Sequence, residues 1–173
     1  MSHEERGIIL TTKLLPTIGQ RGRDGVFDYY AGGCYTTRMS WEENLITDTE
    51  QIGALIRETR RIAVLGIKTE AQLDQPSVYV PKYMFDAGFE IVPVPVYYPD
   101  VKEIFGLTVY RKLGEIPGEI DMVDVFRRSP DIRGHIEEII EKRPKSVWFQ
   151  SGIRNDAAAE IFAKAGIKVV QDR

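Results

Sequence analysis

A single glycine ends the first strongly apolar run of the chain, and the residues around it are of types that bind phosphate. Ile62–Leu65 is typical of a buried strand, Gly66 follows it, and a polar loop leads to a helix start near Pro76 and Ser77. In open α/β sheets, a strand, a glycine turn and a helix N-terminus in that order present backbone N–H groups to a phosphate-bearing ligand. The chemistry that this stretch predicts is therefore phosphate recognition.

Cationic side chains follow most of the predicted strands. They are Lys68, Lys102, Arg127, Arg128 and Arg154. The carboxyl ends of parallel strands share one edge of a sheet, where helix N-termini also favour anions, so the pattern favours a polyanionic ligand such as a phosphorylated nucleotide. The alternative is chance, because 23 lysines and arginines among 173 residues will often fall in loops. The sequence leaves both interpretations open.

The glycine pattern disfavours two common kinds of nucleotide site. The dinucleotide fingerprint G-x-G-x-x-G needs a second glycine so that backbone can approach the pyrophosphate, but in 66–71 only Gly66 is present. The second strand ends in Val94-Pro95-Val96, without an acid to hold an adenosine ribose as NAD sites do. No G-K-[ST] triplet occurs, so the P-loop of nucleotide hydrolases is absent as well.

No set of residues in the sequence forms a convincing catalytic group. Cys34 has only His3 and His135 as possible basic partners, and both are remote in sequence, which favours a structural cysteine. Asp121 and Asp124 bracket the fourth strand, but residues three apart in a strand face opposite sides. Asp124 needs a hydrogen-bonding partner, because a lone carboxylate in an apolar strand is costly. The sequence leans towards a binding protein, with no catalytic residue and no metal site predicted.

Composition and charge limit the class of protein. The 173 residues carry a net charge of −3 with 43% hydrophobic and 28% charged residues, which suits one globular domain with an appended arm. No lysine and arginine cluster predicts nucleic acid binding, and no run of about 18 apolar residues predicts a membrane span. The single cysteine and an acidic start without an apolar signal region predict a cytoplasmic location.

Two regions of the chain differ in pattern. Residues 1–45 interleave glycines with aromatic residues without a helical or strand period, which predicts an irregular N-terminal arm that packs on the main domain or on a partner subunit. Residues 46–173 alternate strands with helices, which predicts a Rossmann-like α/β domain: a doubly wound, mainly parallel five-stranded sheet with helices on both faces. The predicted strands are 61–66, 89–94, 120–126, 146–149 and 167–170, with a weaker one near 107–110 and a helical turn at 113–116.

Helix boundaries are predicted from capping and terminating residues. The expected N-terminal signals are a capping box of Thr47 and Glu50, Ser129 as an N-cap before Pro130, and Asn155 as an N-cap. Gly88 and Gly166 are expected to end the second and the fourth helix. Pro81 is expected in or near the first turn of the second helix, since a proline deeper inside would break it.

From Arg61 onward the chain resembles the small stand-alone CoA-binding proteins, whose fold is similar to the CoA-binding domain of the succinyl-CoA synthetase α subunit. The matching segments are I-A-V-L-G-I (62–67), Pro76-Ser77, I-V-P-V-P-V (91–96), Lys102-Glu103-Ile104 with Gly106, V-D-V-F-R (123–127), W-F-Q-S-G (148–152) and V-V-Q-D-R (169–173). They extend over about two-thirds of the chain, and V-D-V-F-R and W-x-Q-x-G are the most specific. One departure is Val94-Pro95, where many relatives have an asparagine before the proline.

The resemblance implies that the domain holds the 3′-phospho-ADP part of coenzyme A, and it implies roles for particular residues. The turn of Gly66, Ile67, Lys68 and Thr69 would face the pyrophosphate, and Ser77 would cap the helix that starts there. Val94, Pro95, Val96 and Lys102 would line the adenosine side. Phe126 and Arg127 would close the site, with Gln150, Gly152 and Ile153 opposite. Purely structural interpretations stand beside these: Phe126 as core, Arg127 and Lys102 as solvated charges, and Gln150 as a cap of a backbone group.

Three hypotheses follow from the sequence. The first is a non-catalytic protein that binds coenzyme A or acyl-CoA as a carrier, sensor or regulatory subunit, with a possible homo-oligomer or protein partner bound through the arm. The second is an NAD(P)-binding oxidoreductase or redox sensor with an atypical glycine turn. The third is a protein-interaction module whose ancestral pocket binds no nucleotide.

Overall fold

The computed structural model describes residues 40–173, which contain a five-stranded parallel sheet with helices on both faces. The strands are β1 (Arg61–Leu65), β2 (Glu90–Val94), β3 (Glu103–Ile104), β4 (Leu107–Thr108), β5 (Met122–Val125), β6 (Ser146–Phe149) and β7 (Lys168–Val170). The helices are α1 (Thr49–Glu58), α2 (Pro76–Asp86), α3 (Ile136–Lys142) and α4 (Asp156–Lys164). The predicted Rossmann-like fold class is confirmed. The predictions for Cys34, His3 and most of the arm lie outside the described residues.

The sheet forms because its strands are short apolar runs that are buried on both sides. One face carries Ala63, Leu65, Val123 and Val125, and packs with residues of α3 and α4. The other face carries the residues between these, such as Ile62, Val64 and Met122, and packs with residues of α1 and α2. Within residues 40–173 no helix is long and apolar enough to cross a membrane.

The strands lie in the order β2-β1-β5-β6-β7. The chain therefore places β2 on one side of β1 and the later strands, beginning with β5, on the other side. In this register Leu65 lies opposite both Val94 of β2 and Val125 of β5. The three following loops therefore begin side by side, at Gly66, Pro95 and Phe126. A reversal of strand order of this kind opens a crevice at the carboxyl edge of the sheet, where ligands of such folds bind.

The structure corrects the predicted start of the first helix. Asp48, not Thr47, is the N-cap of α1, because one Asp48 carboxylate oxygen accepts hydrogen bonds from the backbone N–H groups of Glu50 and Gln51, both at 3.0 Å. The predicted capping box of Thr47 and Glu50 is therefore wrong. Thr47 and Asp48 are adjacent residues of similar capping preference, and only the backbone geometry distinguishes them.

This correction predicts that Asp48→Ala lowers the free energy of unfolding by about 1 kcal/mol, the usual cost of removing an N-cap. Thr47→Ala is expected to change it by less than about 0.5 kcal/mol, as an exposed substitution without a special role does. Urea unfolding of the two variants measures the difference. A larger loss for Thr47→Ala than for Asp48→Ala would contradict the assignment.

The helix predicted after the fourth strand is two elements. A 3₁₀ segment, Ser129–His135, precedes α3, and Ser129 makes no capping hydrogen bond. Its hydroxyl instead donates to the backbone oxygen of Arg154 at 2.6 Å. The N-cap prediction for Ser129 is therefore wrong, whereas Asn155 does cap α4 by accepting from the N–H of Ala158 at 3.0 Å.

A two-stranded antiparallel hairpin of β3 and β4 was not predicted from the sequence, apart from a strand near 107–110. Its turn residues, Phe105 and Gly106, have φ angles of 55° and 70°. Two consecutive positive φ angles are what a tight hairpin turn requires. Phenylalanine is uncommon in that conformation, which is why the turn gave no clear signal.

Residues 41–46, most of which fall within the predicted arm, contact α4 and β7, the last helix and the last strand. The Asn44 side chain donates to the backbone oxygen of Ala163 at 2.9 Å, and the N–H of Ile46 donates to the oxygen of Val169 at 2.8 Å. The arm and domain boundary at residues 45 and 46 stays a prediction.

Candidate functional site

The loops after β1, β2 and β5 are joined by backbone contacts at the carboxyl edge of the sheet. The N–H of Gly66 donates to the oxygen of Val94 at 2.8 Å, and the N–H of Phe126 donates to the oxygen of Leu65 at 2.9 Å. Gly66 has a φ of +91°, and a Cβ placed there would lie 2.5 Å from the backbone oxygen of Phe126. Only glycine permits this approach of the two loops.

A hydrogen bond that Pro81 makes available joins the loop after β1 to the first turn of α2. Proline has no N–H, so it cannot bond the carbonyl four residues earlier in a helix, which here belongs to Ser77. That carbonyl accepts a hydrogen bond from the N–H of Lys68 at 3.4 Å instead. The Lys68 ammonium also donates to the side-chain oxygen of Gln75. The proline thus frees an acceptor that holds the glycine turn against the helix.

The structure corrects two sequence predictions for α2. The helix begins at Pro76 after Gln75, which makes no side-chain cap, so Ser77 lies inside the first turn and is not the N-cap. Pro81 lies in the second turn and does not break the helix. The freed Ser77 carbonyl accepts from Lys68, so it is not left without a hydrogen bond.

The loop after β2 is held in place by the side chain of Arg111. Its guanidinium donates to the backbone oxygens of Tyr98 at 3.0 Å and Pro99 at 2.9 Å, and also to that of Val101. The Tyr98 hydroxyl donates to the side-chain oxygen of Gln72 at 3.1 Å, in the loop after β1. The loops after β1 and β2 are therefore connected by side chains as well as by backbone.

Arg127 lies at the junction of these loops. Its guanidinium is 5.5 Å from the centre of the Tyr97 ring, its Nη1 is 3.5 Å from the Tyr97 hydroxyl, and its Nη2 is 3.4 Å from an Asp131 oxygen. The side chain is only 12% exposed. Within the described part of the chain, the Arg127 Nε is buried without a hydrogen-bond partner. A buried donor of a charged group without a partner is unfavourable, and an anionic ligand would relieve it.

Hydrogen bonds and charge shift the pKa values of two groups beside Arg127. The hydrogen bond from Arg127, and then its charge, lowers the pKa of Tyr97 below its usual value. The hydrogen bond from Arg128, at 2.9 Å, is the main cause that lowers the pKa of Asp131. Two guanidinium groups share one carboxylate here, so the edge keeps an excess of positive charge.

The other predicted cations differ in their surroundings. Arg154 pairs with Asp156 at 2.9 Å, so its charge is largely balanced. Lys102 is exposed, and within residues 40–173 its side chain forms no hydrogen bond or ion pair, although its backbone oxygen accepts from Val109. Lys68 has the neutral Gln75 amide as its partner. The positive charge near the glycine turn therefore comes from Lys68, Arg127 and Arg128.

The predicted residues after β6, which are Gln150, Gly152 and Ile153, contact β5, the C-terminal segment and each other. The Gln150 amide donates to Asp124 at 2.6 Å, the N–H of Gly152 donates to Asp172 at 2.6 Å, and the N–H of Ile153 donates to the oxygen of Gln150 at 2.9 Å. They form a turn tied to the C-terminal segment. This turn joins the loop after β5 through the contact between Ser129 and Arg154.

Asp124 is buried in the centre of the sheet, and burial raises its pKa to about 7 despite the hydrogen bond from Gln150. Its second carboxylate oxygen has no partner among residues 40–173. Asp121 lies at the opposite end of β5, where it accepts from the backbone N–H groups of Arg60 and Arg61 at 2.9 Å. The two carboxylates therefore have different partners, at different positions along β5.

Several predicted residues can offer only backbone to a ligand. Ile67 is 1% exposed, Val94 is 2% exposed and Pro95 is buried, so their side chains belong to the core. Val96, by contrast, is 40% exposed, and the Thr69 hydroxyl is 3.4 Å from the Gln72 side-chain oxygen.

Sequence reasoning missed Tyr97 and Asp131. Asp131 carried only a partial signal: it follows Arg127 by four residues, a spacing at which opposite charges meet in a helix, but Arg127 precedes the predicted helix start at Ser129. Tyr97 carried none, since its contact with Arg127 joins loops 30 residues apart.

Two surface clefts lie away from these loops. One of about 510 Å³ is lined by residues including Trp41, Arg154 and Arg173, and a smaller one is lined by residues including Thr59 and Lys145. Arg154, one of the predicted cations, lines the cleft of about 510 Å³, whereas none of the residues that the resemblance implies for coenzyme A lines either cleft. The candidate site is therefore chosen by the strand-order reversal and by the cations near the glycine turn, and not by cavity size.

The sheet order and the glycine turn define an α/β protein of the Rossmann-like class. Its family is more specific. The chain belongs to the CoA binding domain family, whose model matches residues 60–173.

The chain is also similar to individual proteins over most of their length. The chain is 37% identical to the uncharacterized protein YneT of Bacillus subtilis (strain 168), over 70% of this chain and 87% of that protein. A solved structure from Thermus thermophilus is 32% identical and covers 73% of this chain and 92% of its own, with a TM-score of 0.66. A hypothetical protein from Pyrococcus horikoshii OT3 is 28% identical, covering 75% and 87%, with a TM-score of 0.66.

A larger protein shows the same fold. The dinucleotide forming acetyl-coenzyme A synthetase 1 of Ca. Korarchaeum cryptofilum, in complex with phosphate and ADP, has a TM-score of 0.55 at 19% identity. The match covers 66% of this chain and 26% of the synthetase chain.

Family membership supports coenzyme A as the ligand in general terms. The donor set at the edge fits such a group, since coenzyme A carries a pyrophosphate and a 3′-phosphate. Lys68, Arg127 and Arg128 supply cationic donors there, and among residues 40–173 the buried Nε of Arg127 has no hydrogen-bond partner.

Proposed function

We propose that this protein binds coenzyme A or acyl-CoA without catalysing a reaction, as a carrier, sensor or regulatory protein. The ligand would bind through its phospho-ADP part at the carboxyl edge of β1 and β5. The observation that carries the proposal is the side chain of Arg127, which is 12% exposed and lies beside the glycine turn in a chain of the CoA binding domain family. The proposed location is the cytoplasm.

The contacts around the turn support roles for the residues predicted from the sequence. Backbone of Gly66 to Thr69 would face the pyrophosphate, with Arg127 supplying charge-assisted hydrogen bonds. Exposed Val96 and Lys102 would contact the adenosine side. Gln150, which is bound to Asp124, would support the loop after β5 rather than contact a phosphate.

A non-catalytic role is supported by the way in which the acid and base groups are used. His135 pairs with Glu138 at 2.6 Å beside the start of α3. Asp121 caps backbone N–H groups, and Asp124 is buried beneath Gln150. Among residues 40–173 no group of three potential metal ligands lies together.

Titration calorimetry with coenzyme A, dephospho-CoA and NAD tests the proposal. We expect coenzyme A to bind most tightly and dephospho-CoA more weakly, because the latter lacks the 3′-phosphate, while NAD should bind weakest. Equal or tighter binding of NAD would contradict the proposal and favour the NAD(P)-binding alternative. No binding and no thermal shift with any nucleotide would favour a protein-interaction module, since ligand at 100 times its dissociation constant should stabilise the fold by about 2.7 kcal/mol.

A pair of arginine variants localises the binding site. Arg127→Gln should weaken coenzyme A binding by at least about tenfold, as expected when a charge-assisted contact is lost. Arg133→Gln removes the same charge from an exposed position of the neighbouring 3₁₀ segment and should leave affinity unchanged. Equal effects of the two substitutions would place the ligand elsewhere.

A further inference from the structure

Tyr97 presents an aromatic ring at the candidate site. The residue is 56% exposed, although the Arg127 guanidinium lies 5.5 Å from its ring centre. The ring of Tyr98 meets it edge-on, with centres 6.4 Å apart and planes at 79°. A ring that is covered on one side by a cation and bounded by a second ring keeps its remaining surface open to a ligand.

The loop that carries Tyr97 is held by two sets of side-chain contacts. Arg111 donates to the backbone oxygens of Tyr98 and Pro99, and the Tyr98 hydroxyl donates to Gln72 in the loop after β1. Tyr98 itself has a φ of 64°, a conformation that a non-glycine residue keeps only when its surroundings enforce it. The Tyr97 ring is thus positioned in advance, unlike an exposed tyrosine on a helix surface such as Tyr83, which is 75% exposed.

The position of the ring relative to charge matters as much as its rigidity. Arg127 contacts Tyr97 and also lies beside Gly66, where the Cδ of Arg127 would be 3.1 Å from an added Cβ. The cation that would bind a phosphate and the aromatic ring are therefore neighbours. Nucleotides carry a flat base within reach of their phosphates, and bases of every kind stack on aromatic side chains.

We propose that Tyr97 is a specificity-determining residue whose ring stacks against the adenine base of the ligand. This inference rests on the proposed function, because it assumes that coenzyme A binds at the edge formed by Gly66 and Arg127. Tyr97 belongs neither to the segments that match the CoA-binding proteins nor to the cations that follow the strands. Affinity should then depend on the aromatic ring only for ligands that contain the base.

The test compares three substitutions at Tyr97 by calorimetry, with coenzyme A and with 4′-phosphopantetheine, which lacks the adenosine part. Tyr97→Ala and Tyr97→Leu should weaken coenzyme A binding about tenfold or more, whereas Tyr97→Phe should stay within about threefold of the wild type. All three should bind 4′-phosphopantetheine like the wild type. Tyr79→Ala, which removes a half-exposed tyrosine from α2, is the matched control and should leave both affinities unchanged.

Each other result overturns the inference in a distinguishable way. Equal affinity of Tyr97→Ala and the wild type for coenzyme A would exclude stacking and would leave the proposed function intact. Tyr97→Leu binding as well as Tyr97→Phe would reduce the role of the ring to apolar contact. A parallel loss of affinity for 4′-phosphopantetheine would show that Tyr97 acts only by positioning Arg127. Failure of the wild type to bind coenzyme A would overturn the proposed function and this inference together.

Discussion

Replacing Gly66 by alanine is expected to lower the free energy of unfolding by about 3 kcal/mol or more and to abolish coenzyme A binding. Two penalties add at this position. A φ of +91° disfavours any side chain, at a cost of roughly 1–2 kcal/mol. The new Cβ would also meet the backbone oxygen of Phe126 at 2.5 Å, which a backbone atom cannot avoid without moving the whole loop. Urea unfolding and calorimetry measure the two effects.

Gly88→Ala separates strain from steric contact. Gly88 has a similar φ of +95°, but an added Cβ there meets nothing within 4 Å. Its substitution should therefore cost only the conformational penalty of roughly 1–2 kcal/mol and should leave coenzyme A binding unchanged. Equal destabilisation by the two substitutions would mean that the approach of Gly66 to Phe126 does not matter for the fold.

Asp124→Asn is expected to change how stability depends on pH. Burial raises the pKa of Asp124 in the folded protein to about 7, compared with an ordinary value of 3.8. Between these values the folded state holds a proton that the unfolded state has lost, so the free energy of unfolding falls as pH rises from about 4 to about 7. The shift of about three pKa units corresponds to at most about 4 kcal/mol.

Asparagine keeps the shape of the side chain and can still pair with the amide of Gln150, but it does not ionise. The variant should therefore lose this decline and be more stable than the wild type above pH 7. Urea unfolding at several pH values between 4 and 8 gives the difference between the two proteins, in which the contributions of other groups largely cancel. A constant difference across this range would contradict the buried, protonated state of Asp124.

Asp121→Asn is the matched control for this experiment. Burial alone would raise the pKa of Asp121, but hydrogen bonds from Lys145 and from the N–H groups of Arg61 and Arg60 outweigh it and lower the value. A lowered pKa contributes stability that is present above the unfolded value of 3.8 and is lost only at more acidic pH. Asp121→Asn should therefore leave the slope between pH 5 and 7 unchanged.

The strands and the fold class were readable from local sequence. Runs such as Ile62–Leu65 and Val147–Phe149 are apolar at successive positions, which only a sheet covered on both faces buries efficiently. Asn155 at the start of α4 and Gly166 beyond its end were also predicted correctly, because capping by Asn and termination by Gly depend on adjacent residues alone. Such features need no knowledge of the rest of the molecule.

The three caps that were predicted incorrectly failed for different reasons, and only that of Ser129 is tertiary. Ser129 had the right residue type before Pro130, but its hydroxyl donates to Arg154 in the loop after β6. Thr47 competed with the adjacent Asp48, and Ser77 is the second residue of a helix that Pro76 begins. Side chains that can cap a helix can also bond other backbone groups, and the choice depends on which groups lie within reach.

The sequence by itself determined the α/β class, the carboxyl edge as the site of cations, and the resemblance to CoA-binding proteins. The tertiary structure decided which of these residues meet. It brought Gly66 against Phe126, Tyr97 over Arg127 and the Ser77 carbonyl to Lys68, across separations of 9 to 60 residues. Local patterns follow from the backbone period and the burial of apolar side chains. Contacts between loops follow from strand order and register, which no single segment of the sequence contains.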